Sequence, residues 1–289
     1  MRPGLSSFAF GWAVRHGRPP LDELCLIGIA KRHALSVVQL GDNLPVHDMS
    51  PRRRARMRAA LAAAKIDLEL GARGLTRAHL VTYLALSEEF GCRLLRFVID
   101  QGGYKPDFRT VVSLLKKAEP DLRAAGVTLG LENHDRFPAA LLREIVDVVD
   151  SPHVGVCLDT ANSLGAGEGL AEVTRVLAPV TVNLHLKDVV ISRVRHQMGF
   201  VIEGCPLGEG CLPLAETVRA VRAAGRCRTA ILEAWSPEDR TLAGTVRREA
   251  AWARRSLAAF RTMVEGATPV ECESRATIRP TKVAQKRRT

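Results

Sequence analysis

Four short stretches carry side chains that hold metal ions or move protons: "VTLGLENHD" (127–135), "VGVCLDTAN" (154–162), "VNLHLKD" (182–188) and "AILEAW" (230–235). Each begins as a β-type run and places a carboxylate or an imidazole near its C-terminal end: Glu132, Asp159, His185 and Glu233. Side chains alternate between the two faces of a strand. In these runs Val127, Leu129 and Leu131, Val154, Val156 and Leu158, Val182, Leu184 and Leu186, and Ala230, Leu232 and Ala234 make an aliphatic phase. The four ionisable groups all fall in the opposite, mixed phase. Three carboxylates brought together on a buried face repel one another and demand positive charge. A divalent cation supplies it, and three carboxylates with one imidazole suit Mn²⁺ or Mg²⁺, with Co²⁺ or Zn²⁺ as alternatives. Taken singly, each residue has a plainer use. A strand-end acid commonly caps the next helix, as Asp159 before Thr160 can, and a lone histidine is commonly a hydrogen-bonded core residue. Four in one phase on successive strand ends favour a ligand cluster.

These groups need a scaffold that brings the strand ends together. Strand-like runs occur at 5–10, 36–40, 66–70, 94–99, 127–132, 154–159, 182–187 and 229–234, and helical patterns separate them. Thr76 and Gly91 bracket one helix as N-cap and C-terminal glycine, and another begins after Ser50 with Pro51 in its first turn. A third ends at Gly126, with Pro120 expected to kink or split it. Pro138 is placed at a first helical position. Eight strands alternating with helices predict a (β/α)₈ barrel, with the aliphatic phase facing the helices and the mixed phase facing the barrel interior. Barrel enzymes assemble their sites at the C-terminal strand ends, where the four residues stand. A doubly wound open sheet is the rival. However, the first strand is not followed by G-x-G-x-x-G, and the chain has no G-x-x-x-x-G-K-[ST]. The periodicity stops near Glu265, which divides the chain into a barrel at 1–264 and a basic tail at 265–289, read as disordered.

The chain has 289 residues, 46% apolar, enough for one large domain with a substantial core. It has no apolar run of membrane-spanning length, and the first residues lack a secretory h-region. Seven scattered cysteines without a C-x-x-C pair fit reduced thiols and a cytoplasmic location. The formal charge of +11 invites a nucleic-acid reading. Part of the excess lies in the tail, and the run at 51–64 reads as the solvated outer face of a helix, so a nucleic-acid partner is not favoured.

The motifs "LENHD", "CLDTANS" and "NLHLKD", with "PLGEGCLPLAETVRAVRAAGRCRTAILEAW", resemble the xylose isomerase-like TIM-barrel superfamily. The resemblance spans roughly residues 5–262 and is strongest from Gly130 to Trp235. It implies a metal held by Glu132, Asp159, His185 and Glu233, with Glu132 and Glu233 also the acid/base pair of the epimerase branch, and a substrate contact at Asn162. "LENHDRF" and "HLKDVVISRVRHQMGFVIEGCPLGEG" are similar to the subgroup containing 3-oxo-isoapionate decarboxylase. Endonuclease IV, a third branch, implies extra histidines at the second and third strand ends. Those ends read "QLGDN" and "LELGARG", with His47 and His79 elsewhere, which counts against DNA repair.

The expected activity is a divalent-metal-dependent isomerase or epimerase of a sugar or sugar acid, acting through a metal-stabilised enediolate. The same enediolate forms when CO₂ is lost instead of a proton, so decarboxylation of a 3-oxo sugar acid is the alternative. The partner is then a small-molecule sugar or sugar acid, with no membrane, and a homo-oligomer is allowed. Lys187, His134 and Arg193 are candidate cations for a substrate carboxylate, Lys187 first because it shares the inward phase of His185. Trp12 and Trp235 are candidate walls for the apolar face of a sugar. The long segment between His185 and Glu233, which includes His196, is expected to act as a lid. Asp188 falls in the outward phase and has no assigned role.

Overall fold

The structure, a computed structural model, describes residues 1–266. Of the expected tail, residues 267–289 lie outside the described residues. The strands are β1 (Arg2–Ser6), β2 (Val37–Leu40), β3 (Asp67–Arg73), β4 (Leu94–Val98), β5 (Thr128–Glu132), β6 (Val154–Asp159), β7 (Thr181–Leu186), β8 (Asp188–Arg193), β9 (Phe200–Cys205) and β10 (Thr229–Leu232). Eight of them close into a parallel barrel in the order β1-β10-β7-β6-β5-β4-β3-β2. The remaining two, β8 and β9, form a separate antiparallel hairpin. Around the barrel run α1 (Gly11–His16), α2 (Glu23–Arg32), α3 (Pro51–Ala64), α4 (Arg77–Phe90), α5 (Phe108–Ala125), α6 (Ala139–Val149), α7 (Leu170–Leu177), α8 (Leu214–Ala224) and α9 (Leu242–Glu265). Among the described residues no helix is long and apolar enough to cross a membrane.

Local chemistry sets the element ends. Ser50 accepts the backbone N–H of Arg53 and Thr76 accepts that of His79, each satisfying a donor that the helix leaves orphaned. Gly91 and Gly126 end α4 and α5 at φ +67° and +61°, in the left-handed region that glycine enters without strain. The aliphatic phase does face the helices: Leu129, Leu131, Val156, Leu158, Leu184 and Leu186 all belong to the buried apolar layer.

Three expectations are corrected. The first strand is not at 5–10 but at 2–6, and residues 7–10 form a short 3₁₀ turn capped by the Ser6 hydroxyl. Pro3 and Gly4 look like turn residues in sequence, yet they lie in the strand. A Cβ on Gly4 would stand 2.5 Å from Ile231 and 2.9 Å from Val37, so only glycine allows the neighbouring strands this close. Pro120 does not split its helix: α5 runs unbroken through it, and the carbonyl that Pro120 leaves without a donor belongs to Lys116, on the exposed face. Pro138 is the N-cap of α6, one position before the first helical residue.

Candidate metal centre

Glu132 and Asp159 are the last residues of β5 and β6, His185 is the penultimate residue of β7, and Glu233 follows β10 directly. Their ligand atoms lie within 4.8 Å of one another, and all four residues are buried. His185 Nδ1 sits 3.4 Å from Glu132 Oε1, 3.3 Å from Glu233 Oε1 and 3.8 Å from Asp159 Oδ2. The two roles considered for Asp159 turn out to be divided between its oxygens. Oδ1 accepts the backbone N–H groups of Ala161 and Asn162, as a cap does, while Oδ2 points into the cluster.

Two buried cations complete the centre. Lys187 Nζ lies 2.8 Å from Asp159 Oδ2 and 3.0 Å from Glu233 Oε2. Arg96, in the middle of β4 and only 2% exposed, places Nε 3.1 Å from Glu132 Oε2 and Nη1 3.3 Å from Asp42 Oδ1. Burial alone would raise the Glu132 carboxyl, but the Arg96 guanidinium, with His185 and Lys187, holds it well below the usual carboxylate range. Burial would likewise raise Glu233, and His185 and Lys187 bring it down. Asp159 goes the other way: burial pushes it up, and the neighbouring Glu132 and Glu233 charges offset the help from Lys187. His185 and Lys187 are both raised, because the surrounding carboxylates outweigh the effect of burial.

The donor set fits a divalent cation. Glu132 Oε2 and Asp159 Oδ2 are ion-paired with Arg96 and Lys187, while both His185 ring nitrogens are buried without a hydrogen-bond partner. A buried imidazole with both nitrogens unpartnered is rare unless a ligand engages it. Surrounding residues fix the ligands. Asn162 donates to Glu132 Oε1 at 3.1 Å, and Ser6 donates to Glu233 Oε1 at 2.9 Å. Asn133 accepts the Asp159 N–H at 2.6 Å and donates to the Asp159 carbonyl at 2.9 Å.

The structure places the sequence-predicted contact residues differently. Asn162 and Lys187 touch the quartet directly, so Lys187 is tied to its acids. Trp235 is 40% exposed, and Lys187 Nζ lies 5.1 Å from its ring centroid. Trp12 lines a cavity of about 400 Å³ with Phe8 and Trp235, and its indole donates to the Ser236 carbonyl. His134 lines a second cavity, together with Glu132. Arg193 does not reach the centre: it lies in the hairpin, stacks on Phe200 and donates to the Gln197 carbonyl. His196 is in the hairpin turn. His47 and His79, distant in sequence, meet beside the mouth with ring centroids 5.2 Å apart.

Residues 29–263 match the family described as xylose isomerase-like TIM barrel. The chain belongs to that family. Within it, the 3-oxo-isoapionate decarboxylase of Pectobacterium atrosepticum is 33% identical over 258 residues, 89% of this chain and 94% of the relative. Among solved structures, a D-psicose 3-epimerase from Clostridium cellulolyticum with D-tagatose has a TM-score of 0.70 at 15% identity, covering 91% of this chain and 99% of that one. A xylose isomerase-like TIM barrel protein from Mycobacterium smegmatis in complex with magnesium has a TM-score of 0.65 at 14% identity, covering 90% and 97%. At these identities the structural likenesses show the shared fold.

Sequence reasoning missed Arg96, Asn133 and Asp188. Arg96 had a signal, a charged residue inside the apolar run "LLRFVI". Asp188 is a loop anchor: its carboxylate accepts the N–H groups of Gly208, Gly210 and Leu212, holding the "GEG" turn against the hairpin.

Proposed function

We propose that this barrel is a divalent-metal-dependent lyase that decarboxylates a 3-oxo sugar acid. The metal would be held by Glu132, Asp159, His185 and Glu233, with Mn²⁺ or Mg²⁺ the best match to a carboxylate-rich set. The observation that carries the reading is the engagement of both glutamates by buried cations, Glu132 by Arg96 and Glu233 by Lys187. A carboxylate held ionised by a cation is a weak base toward a C–H bond. Loss of CO₂ needs no such base. The relative named as a decarboxylase, similar along almost its whole length, supports the same choice.

When bound, the ion would polarise the substrate carbonyl and lower the energy of the enediolate. The chain supplies the rest. Asn162 and Ser6 fix the two glutamates, so the site needs little reorganisation during reaction. As the bond to the carboxyl carbon breaks, its electron pair stays on the adjacent carbon and CO₂ leaves. That carbon then takes a proton from solvent, while the Lys187 ammonium, raised above the ordinary lysine range, keeps its own and stays beside Asp159 and Glu233 as a fixed positive charge. The Trp12 and Trp235 rings and the β8–β9 hairpin narrow the mouth on one side, with Ile202, Glu203 and Gly204 in the wall of the same cavity.

A second reading rests on a different observation. Glu132 Oε1 and Glu233 Oε1 converge on one atom, His185 Nδ1, at 3.4 and 3.3 Å. Two carboxylates on opposite sides of one substrate can remove and return a proton, giving isomerisation or epimerisation of a sugar. An NMR panel of 3-oxo sugar acids and ketoses in D₂O with Mn²⁺ separates the two. We expect CO₂ release from a 3-oxo sugar acid, abolished by chelation. Solvent deuterium entering a ketose without CO₂ would overturn decarboxylation in favour of the second reading.

A further inference from the structure

A cavity of about 220 Å³ opens beside the ligand quartet, between the ends of β3 and β5, with Glu132 in its wall. Arg73, Lys105, His134 and Arg136 line it, with Asp100 and Asp135 as its other acids. Most of these charges are already committed. Arg136 donates to both oxygens of Asp100, at 2.7 and 2.6 Å, and to the Pro106 carbonyl. Asp42 serves two guanidiniums at once, with one oxygen 3.3 Å from Arg96 and the other 3.4 Å from Arg73. One carboxylate therefore stands between two permanent cations. Lys105, exposed at the rim, adds another, and Asp100 nearby is taken by Arg136.

The geometry of Arg73 leaves it donors to spare. Arg73 Nη2 faces His134 Nε2 at 3.3 Å. On its other side, His134 Nδ1 lies 3.1 Å from the Asp135 backbone nitrogen and 3.1 Å from Asp135 Oδ2. With Nε turned to Asp42 and one Nη2 hydrogen to His134, three of the five guanidinium hydrogens remain, two on Nη1 and one on Nη2. Those form the fork that matches the two oxygens of a carboxylate. Across the quartet lies the opposite environment, the Phe8, Trp12 and Trp235 cavity. The mouth thus has an end where Arg73 keeps free donors and an aromatic end. Lys187, which the sequence favours for this role, is bound to Asp159 and Glu233, and Arg193 is in the hairpin.

We infer that Arg73, reinforced by Lys105, is the specificity residue that reads a substrate carboxylate, so that the site selects sugar acids over neutral sugars. The inference rests on the quartet holding a metal and the substrate lying beside it, as proposed above. The test is calorimetric titration of the Mn²⁺-loaded protein with two four-carbon probes, threonate and threitol, which differ in carrying a carboxylate or a hydroxymethyl group. The wild type should bind threonate at least about tenfold more tightly than threitol, the scale of one charge-assisted pair. Arg73→Gln should remove that preference and leave threitol and Mn²⁺ affinities unchanged. Arg73→Lys should restore part of it, and Lys105→Met should weaken threonate a few-fold, which keeps the inference testable if Arg73→Gln does not fold. A wild type that does not prefer threonate, or variants that all retain wild-type threonate affinity, would overturn the role of Arg73 while Mn²⁺ binding left the metal centre standing. A wild-type protein that takes up no Mn²⁺ would overturn the metal reading itself, and this inference with it.

Discussion

Two buried polar clusters stand one above the other inside this barrel, and they solve the same problem differently. The lower one centres on Glu69 of β3, which accepts from Thr229 Oγ1 at 2.6 Å, Gln39 Nε2 at 3.0 Å and Asn183 Nδ2 at 3.2 Å. Burial raises its carboxyl, and the hydrogen bonds from Thr229 and Gln39 only partly hold it back. Among the described residues no cation pairs with it, and of the cluster's polar side-chain atoms only Gln39 Oε1 lacks a partner. The upper cluster, two residues further along β7, holds three carboxylates, an imidazole, Lys187 and Arg96, and both nitrogens of its imidazole lack a hydrogen-bond partner. A structural polar core is closed by neutral hydrogen bonds. A site for a ligand is assembled from charge, with acceptors left open and the cost of desolvation borne by the rest of the fold.

The strongest way to break this contrast is to neutralise one carboxylate in each cluster. Asp159→Asn keeps an oxygen for the Ala161 and Asn162 N–H groups and removes the charge facing the centre. Its Mn²⁺ affinity should fall at least about 100-fold, since loss of even a supporting partner of a metal ligand costs 10–100-fold. The metal-free variant should keep its Tm within a few degrees, because burial and like charges already disfavour the Asp159 carboxylate. Glu69→Gln should bind Mn²⁺ as the wild type does. Equal Mn²⁺ affinity in all three proteins by calorimetry would remove Asp159 from the ligand set.

The next test sharpens the lower cluster. Glu69→Leu leaves the Thr229 hydroxyl and the Gln39 and Asn183 amide groups short of an acceptor, and should cost about 2–4 kcal/mol in urea unfolding. Glu69→Gln should stay within about 1 kcal/mol of the wild type, because its oxygen can still accept from Gln39 and Asn183, its NH2 can donate to the rotated Thr229 hydroxyl, and no charge is buried. If the leucine variant were no less stable than the glutamine one, the hydrogen bonds to Glu69 would not be what closes that core.

How far these clusters were legible in sequence follows from their physics. The barrel was readable because buried parallel strands show β-branched runs spaced by helices, and the upper quartet because side-chain alternation puts Glu132, Asp159, His185 and Glu233 in one phase. Alternation could not say what Lys187 touches, since its partners lie on β6 and after β10. Arg96 was visible as an anomaly, yet Glu132 is 36 residues away and only closure of the barrel brings them together. The hairpin escaped because its pattern is not that of a buried strand: Ile191, Phe200, Val201 and Ile202 are exposed. Gln39, Glu69 and Thr229 read as scattered polar residues until their strands are neighbours in space.

The smallest expected effect concerns a buried carboxylate outside both clusters, Glu249 of α9, which tests whether a lone acid behaves like Glu69. It accepts the N–H groups of Trp12 and Ala13 at 2.9 and 2.8 Å, holding the start of α1 and, with it, one wall of the aromatic cavity. Arg15 and His16 line the same cavity without pairing with it. Burial pushes the carboxyl up to about 7, against the pull of the two N–H donors. A carboxyl raised in the folded state keeps its proton there at a pH where the unfolded chain has lost it. Its contribution is therefore fully present below the ordinary value of 4.5 and is lost as pH climbs toward 7. Glu249→Gln should remove from the pH dependence of urea unfolding a slope of up to about 1.4 kcal/mol per pH unit in that window. The replaced oxygen gives up one N–H, lowering stability at every pH by about 1 kcal/mol. The slope, not the offset, is the diagnostic. A variant with the wild-type slope would mean that Glu249 stays ionised, closer to the charge-built upper cluster than to Glu69.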